Sequence, residues 1–391
     1  MLSRLVIRLA ACCALALPAY AEVPQGPKNV PAFKPAFKNQ TRAPAMAVPA
    51  LKVEVIAQGL EHPWGMAVLP NGNYLVTERP GRLNYIQKNG KISRIKGTPK
   101  VHVDRQGGLL DVAIADDFAS SRRVFLTYAK AAGRGRYATA AATGVLSKDF
   151  SRLSQVKDIY VQKPATDLTI HFGSRIVIDG NIAYITIGDR GRMPEAQKLS
   201  NPQGTVIRIG VNGGIPSNNP FIGKGRARPE IWSYGHRNPQ GAAIHPRTGE
   251  LWTLEHGPAG GDELNLIRAG GNYGWPVTSY GENYNGSPIG RGQTSAKGIE
   301  EPRYYWDPVI APGGFAFYQG DLFDWDGDVI AASLSPGAIH RLKLKGNRVV
   351  GESMFLEDLR RVRDIEIDSD GAILALAERG SGILVRITPA K

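Results

Sequence analysis

Asp368-Ser369-Asp370-Gly371-Ala372-Ile373-Leu374-Ala375-Leu376, with Gly382-Ile383-Leu384-Val385-Arg386-Ile387 close behind it, sets the architecture of this chain. An Asp/Gly turn leads into an apolar run, a short polar loop intervenes, and a second apolar run follows. Gly, Asn and Asp punctuate turns, and short apolar runs between them are strands. The same unit recurs upstream. Leu69-Pro70-Asn71-Gly72 opens a run that leads to Gly81–Ile86. Ile178-Asp179-Gly180-Asn181 leads to Val206–Ile209, and His245-Pro246-Arg247-Thr248-Gly249 leads to Glu263–Ile267. Trp325-Asp326-Gly327-Asp328 leads to Ile339–Leu342. The stretch from Val112 to Tyr128, with Val124-Phe125-Leu126-Thr127-Tyr128 as its strand, supplies a sixth copy. A hairpin cannot bury both of its faces alone, so recurring hairpins must pack in a ring or a stack. Helical periodicity is nearly absent. The expectation is an all-β chain folded as a six-bladed β-propeller, with long loops at 190–230 and 270–310 on the face that carries the site. A β-sandwich would need fewer strands and would not repeat its turn motif.

Composition agrees. The 391 residues include 46 Gly and 27 Pro, and 42% are hydrophobic, which suits one large turn-rich globular domain. Residues 1–21 read as a secretory signal. Arg4 and Arg8 make a positive start, Leu9–Leu17 a short apolar run, and Pro18-Ala19-Tyr20-Ala21 a small-residue cleavage site. Leu9-Ala10-Ala11-Cys12 also looks like a lipoprotein processing site. The apolar run is too short to span a bilayer. Residues 22–50 hold six prolines among polar residues and are expected to be an extended, mostly disordered tether, leaving 51–391 as the propeller domain. Export near Ala21 implies a periplasmic or secreted protein. Cys12 and Cys13 leave with the signal, so no disulfide or thiolate chemistry is expected of the mature chain. The net charge of +13 is spread without Lys/Arg runs, which points to a solvated basic surface, not to nucleic acid.

Four clusters carry chemistry. Arg105-Gln106-Gly107-Gly108 brings backbone close to whatever lies beyond it. His171-Phe172-Gly173-Ser174-Arg175 places an imidazole at a loop-to-strand junction, where neutral His serves as a base or as a hydrogen-bonded structural residue. His236-Arg237-Asn238-Pro239-Gln240-Gly241 and Glu255-His256-Gly257-Pro258-Ala259-Gly260-Gly261-Asp262-Glu263 combine a cation, amides, carboxylates and glycine carbonyls, the last suited to a hard cation such as Ca²⁺. On a strand, Arg361 and Arg363 share one face, an arrangement that costs energy unless an anion lies between them.

Taken in order, these clusters resemble the soluble PQQ-dependent sugar dehydrogenases, the glucose/sorbosone dehydrogenase family, and most of all its periplasmic aldose sugar dehydrogenases. The motifs that carry the resemblance also include Thr77-Glu78-Arg79-Pro80-Gly81-Arg82, Ile187-Gly188-Asp189-Arg190-Gly191 and Gly271-Asn272-Tyr273-Gly274-Trp275-Pro276. The resemblance runs from about Val53 to Ile387. It implies an enzyme that oxidises the anomeric carbon of an aldose to a lactone by hydride transfer to PQQ. It implies His171 as the general base, Arg237 as the group that stabilises the developing oxyanion, and Gln106 near base and substrate. It implies Asn238, Arg361 and Arg363 as cofactor contacts beside Arg237. The carbonyls of Gly257 and Pro258 would hold a Ca²⁺ at PQQ, and Glu263 with the Tyr273 carbonyl a second, structural Ca²⁺. An aldose substrate and a respiratory electron acceptor would be the partners.

The chain departs from the family pattern in three places. Leu334 is followed by Ser335-Pro336-Gly337 where relatives often carry a lysine that neutralises a PQQ carboxylate. His256 stands where some carry glutamine, and Ser174 where glycine is common. A non-catalytic propeller that binds carbohydrate or protein, and a Ca²⁺-dependent propeller lactonase, are the alternatives from other functional classes.

Overall fold

The computed structural model describes residues 23–390. The leader expected at 1–21, with Cys12 and Cys13, lies outside the described residues. From β1 (Leu51–Leu60) onward the chain builds one four-stranded antiparallel sheet after another. The first holds β2 (Pro63–Val68), β3 (Tyr74–Glu78), β4 (Arg82–Ile86) and β5 (Ile92–Ile95). The second holds β6 (Leu109–Ile114), β7 (Arg123–Ala131), β8 (Tyr137–Leu146) and β9 (Leu153–Val161). The third holds β10 (Ile176–Asp179), β11 (Ile182–Ile187), β12 (Thr205–Gly210) and β13 (Ile231–Tyr234). β14 (Pro239–Ile244), β15 (Leu251–Glu255), β16 (Asp262–Leu266) and β17 (Tyr304–Trp306) make the fourth. β18 (Pro312–Phe317), β19 (Val329–Ser333), β20 (Ile339–Lys345) and β21 (Arg348–Phe355) make the fifth. The last contains β22 (Arg361–Ile367), β23 (Ile373–Arg379) and β24 (Ser381–Pro389), and its outer strand is β1.

The architecture is the expected six-bladed β-propeller. Its innermost strands β2, β6, β10, β14, β18 and β22 touch in sequence, and β22 closes the ring on β2. Pairing of β1 with β24, from Leu51 opposite Pro389 to Leu60 opposite Gly382, joins the two ends of the propeller in one sheet. That leaves no open seam in the ring.

The core lies between blades. Leu75, Leu83 and Ile95 of the first blade pack with Leu126, Ala140 and Leu153 of the second. Trp252, Leu264 and Trp306 of the fourth pack with Phe315, Val329 and Leu342 of the fifth. The recurring turn-and-run units are the second and third strands of five blades, the copy at Val112–Tyr128 falling instead on the first and second strands of its blade, and their alternate residues supply these contacts. The long loops fall as expected, between β11 and β13 and between β16 and β17.

Residues 23–50 are extended, but the expectation of a disordered tether is corrected. The segment lies along the fourth and fifth blades, and Gln40 and Ala43 are fully buried there. Ala45 bridges Glu352 in parallel, with Met46 N donating to Glu352 O (2.8 Å) and Glu352 N to Pro44 O (2.9 Å). The Asp307 carboxylate accepts from Asn29 N (2.7 Å) and Val30 N (3.1 Å). Six prolines rule out a helix but leave an extended chain free to pair with a blade edge, whose polar backbone needs partners.

Charged residues occupy the channel that the innermost strands enclose. Arg175 donates to Asp111 Oδ1 (2.8 Å), lies 3.0 Å from Asp364 Oδ1, and reaches the Gln240 carbonyl through Nε (3.0 Å). Its guanidinium covers the Trp64 ring at 4.7 Å. Gly314 must lack a side chain here, since a Cβ would sit 1.8 Å from Asp364 Oδ1. One arginine faces the acids Asp111, Asp364 and Glu366. Burial, and then the Asp364 charge, push Glu366 up to about 8 from 4.5. The folded protein therefore holds a proton that the unfolded chain gives up between these values, so this group's contribution to stability falls as pH rises from about 4.5 to 8. Glu366→Gln is expected to lessen the loss of stability between pH 5 and pH 8 by about 3–4 kcal/mol, read from denaturant melts at both pH values.

Candidate active site

Each innermost strand enters the channel from one face, and the candidate residues stand at those entry points. Gln106 precedes β6, His171 precedes β10, Arg237 and Asn238 precede β14, and Arg361 and Arg363 open β22. Glu255 at the end of β15 opposes Pro239, so the loop beginning at His256 emerges on the same face. Register shifts interrupt the start of β2, β6, β14, β18 and β22. Such bulges re-aim side chains at the rim of a closed sheet. The result is a cavity of about 440 Å³ lined by Gln106, His171, Arg237, Asn238, Gly257, Pro258, Arg361 and Arg363 together.

His171 is held from two sides. Its backbone N donates to Gln106 Oε1 (2.7 Å), and its Nδ1 lies 2.7 Å from Asp189 Oδ1. Asp189 is fully buried, and its second oxygen accepts from the Trp275 indole N–H at 2.8 Å. A carboxylate on Nδ1 fixes the tautomer with the proton there and leaves Nε2 free to accept another. His171 adopts φ +49, which is uncommon outside glycine. The turn fits because Gly188 lies beneath it, where a Cβ would come within 2.2 Å of the His171 carbonyl. Asn238 braces the same loop, its Oδ1 accepting from Gly173 N at 3.1 Å.

Arg237 is 7% exposed, yet it has no carboxylate partner for its side chain among the described residues. It donates to the His256 carbonyl (3.3 Å) and to the Tyr284 hydroxyl (3.3 Å), and lies 5.3 Å from the centre of the Trp275 ring. Its Nε has no partner among the described residues. Arg363 donates to Gln240 Oε1 (2.8 Å), and the same oxygen lies 3.1 Å from His256 Nε2. Burial, and then the Arg361 charge, push Arg363 down to about 9. Burial, then Arg363 and Arg237, hold His256 well below the usual histidine range, so it stays neutral. The lining as a whole has five arginines, with Arg79 and Arg105 added, against one carboxylate, Asp262. Burial raises Asp262 to about 7, and it is spent on the backbone N–H groups of Gly257 (2.7 Å), Ile310 (2.7 Å) and Ala311 (2.7 Å). A cavity this cationic favours a polyanion.

Glu263 and Tyr273 do not reach this cavity. They line a smaller neighbour of about 20 Å³, which shares Arg237, Gly257 and Pro258 with the first. The Tyr273 hydroxyl is engaged with the Leu266 carbonyl (2.6 Å), and its ring stacks on His236. His236 and Glu255 are paired at 2.9 Å. Burial, and then the Glu255 charge, raise Glu263 well above the usual carboxylate range.

Asp189 and Trp275 gained no role from sequence reasoning, although both lie within quoted motifs. Their partnership spans 86 positions, and only the fold brings them together. Tyr284 was missed as well. It is 81% exposed at the cavity mouth, in the 270–310 loop, which gave no apolar pattern to mark it.

The chain is similar to known proteins in sequence and in fold. The glucose/sorbosone dehydrogenase family model matches residues 60–386. The chain is 40% identical over 351 residues to the aldose sugar dehydrogenase YliI of Escherichia coli, covering 88% of this chain and 94% of that one. It is 26% identical to quinoprotein glucose dehydrogenase B of Acinetobacter calcoaceticus over 82% of this chain and 84% of the relative. The PQQ-bound aldose sugar dehydrogenase of Streptomyces coelicolor superposes with a TM-score of 0.71 at 26% identity, over 87% of this chain and all of the other. With its propeller complete, its motifs in order and its cavity assembled from them, this chain belongs to the glucose/sorbosone dehydrogenase family.

Proposed function

We propose that this protein is an exported, PQQ- and Ca²⁺-dependent aldose dehydrogenase that oxidises the anomeric carbon of a sugar to a lactone and passes electrons to a respiratory acceptor. The family and its relatives support an oxidoreductase acting on sugars. The observation that carries the finer reading is the pairing, in one cavity, of a carboxylate-held imidazole with five arginines that face a single carboxylate in the lining. A hydrolase metal held by side chains calls for converging carboxylates, and here the converging charges are guanidinium groups.

The residues fit the cofactor. PQQ is a tricarboxylate, and Arg361 and Arg363 offer planar forks to its carboxylates. Asn238, which precedes β14 and braces the neighbouring His171 loop, contributes its amide. The Gly257 and Pro258 carbonyls would hold Ca²⁺ there, since neither accepts a hydrogen bond among the described residues. Asp262 fixes the peptide that presents them. Glu263, withdrawn from solvent without a cationic partner, with the Tyr273 carbonyl, is proposed for a second, structural Ca²⁺. When bound, PQQ supplies the two-electron acceptor for the anomeric hydride. His171 Nε2 takes the proton of the anomeric hydroxyl, and Asp189 keeps the resulting imidazolium oriented and neutralised. Gln106 positions the backbone of the base. Arg237, fixed by Tyr284 and the His256 carbonyl, stabilises the negative charge that develops opposite it.

Asp189→Asn is expected to lower kcat about 10–100-fold with KM little changed, because it removes orientation of the base and no substrate contact. Steady-state kinetics check it. The proposal as a whole is tested by adding PQQ and Ca²⁺ to purified protein and following dye reduction by a panel of aldoses. Turnover that needs both additions supports it; no turnover with any aldose sinks it. In the chain as described, no helix is long and apolar enough to cross a membrane.

A further inference from the structure

The cofactor reading leaves two cations without an assignment. Arg361 and Arg363 face the cofactor carboxylates, and Arg237 serves the reacting centre. Arg79 and Arg105 remain. Both line the same cavity, and among the described residues neither has a carboxylate partner. The contrast with Arg82, just along the same blade, is direct: Arg82 is paired with Glu78 and Glu61. Arg79 is fixed to the other by its own side chain, which donates to the Arg105 carbonyl at 2.5 Å. The Arg79 carbonyl in turn accepts from Leu109 N (3.0 Å), so the two arginines belong to one braced corner between the first two blades. Arg105 sits there at φ +47, exposed, and directly precedes Gln106, whose Oε1 holds the backbone of His171. The corner is therefore on the base's side of the cavity, where the sugar must lie if its anomeric hydroxyl is to reach His171.

Resting on the dehydrogenase proposal above, we infer that Arg79 and Arg105 form an anion subsite, and that the preferred substrates are aldoses carrying a terminal anionic group, of which hexuronic acids are the simplest class. With the anomeric carbon at His171, the group on the far side of a pyranose ring points away from the cofactor and towards the rim. A carboxylate there meets two guanidinium groups whose planar forks match it. A neutral hydroxymethyl group leaves the same two like charges facing each other unrelieved. The reaction itself is unchanged: the anomeric C–H hydride goes to PQQ, the hydroxyl proton to His171, and the product is the lactone of the acidic sugar.

The test uses the PQQ- and Ca²⁺-loaded protein with D-glucuronate, its uncharged isostere D-glucuronamide, D-glucose and glucose 6-phosphate, measuring kcat/KM for each and sugar binding by calorimetry. Glucuronate is expected to exceed glucuronamide by roughly 10-fold in kcat/KM and in affinity, a margin that shrinks at high salt. The double variant Arg79→Gln/Arg105→Gln is expected to bring the glucuronate-to-glucuronamide ratio close to one. A preference for glucose 6-phosphate over glucose that the double variant also erases supports the same subsite with phosphate as its anion. Equal use of charged and neutral sugars overturns the inference. So does a double variant that weakens PQQ binding tenfold or more and leaves the sugar ratio untouched, which would assign the arginines to the cofactor. Failure to reduce dye with any sugar instead contradicts the dehydrogenase proposal, and calorimetry then still reads whether the charged sugar is the one that binds.

Discussion

Replacing His171 with alanine is expected to lower kcat by about 10²–10⁴-fold while PQQ still binds, the range spanned by loss of a positioned general base. The geometry isolates the effect. His171 Nδ1 is spent on Asp189 and its backbone on Gln106, so the imidazole's remaining contribution to the cavity is the Nε2 lone pair. The described contacts of Arg361 and Arg363 do not include His171, so the cofactor's carboxylate contacts survive. A small effect on cofactor affinity with a large effect on kcat is the signature of a base. Retention of full activity would remove that assignment, and equal losses in both would make His171 a structural residue of the cofactor pocket.

The double variant Arg361→Gln/Arg363→Gln is expected to weaken PQQ binding by about 10²–10³-fold, because it removes two charge-assisted hydrogen-bonding groups at once. Arg361 is exposed and shares Glu378 (3.2 Å), so the larger share falls to half-buried Arg363, which has no carboxylate partner among the described residues. Stability should move the other way. In the unliganded protein the two like charges disfavour each other, and glutamine at 363 can still donate to Gln240 Oε1. The melting temperature is therefore expected to hold or rise as the affinity falls. A double variant that binds PQQ normally would show that the arginines face something else, and a sharp loss of stability would show that they support the blade.

What could be read from the chain alone follows from how local each signal was. The second and third strands of the blades are consecutive, tightly turned and apolar, so Asp368–Leu376 and its counterparts revealed the propeller. The innermost strands were harder to recognise. Pro63-Trp64-Gly65, Pro239-Gln240-Gly241 and Pro312-Gly313-Gly314 carry prolines and glycines where a strand pattern expects alternation, because they bend at bulges and crowd around a channel. Of these, Pro239-Gln240-Gly241 was read as part of a site stretch, and Gln240 does line the cavity. Most residues that face the cavity were therefore legible, Tyr284 being the exception, whereas the partners that position them across blades were mostly not. Asp189 meets His171 across 18 positions and Trp275 across 86, and Arg175 meets Asp111 across 64. The N-terminal segment misled for a related reason: its proline content forbids a helix but says nothing about the edge at Glu352 that it docks against.

The missing lysine at Ser335 bears on the cofactor. Leu334 lines the cavity and Ser335 is exposed, so this corner offers no cation of its own. The positive charges that act on Arg363 come from Arg361, Arg79 and Arg175. On the proposed function, the carboxylate contacts of PQQ in this chain would therefore fall to Arg361 and Arg363.

The central claim is that a sugar delivers two electrons to PQQ held in this cavity. Its most direct test is a single-turnover experiment in the absence of any electron acceptor. Protein loaded with one equivalent of oxidised PQQ and Ca²⁺ is mixed anaerobically with aldose, and the cofactor spectrum and the sugar product are followed together. The account predicts that bound PQQ is reduced completely, that one lactone forms per cofactor, and that His171→Ala binds the cofactor but reduces it far more slowly. Bound PQQ that stays oxidised in the presence of every aldose, or protein that takes up no PQQ at all, would contradict it.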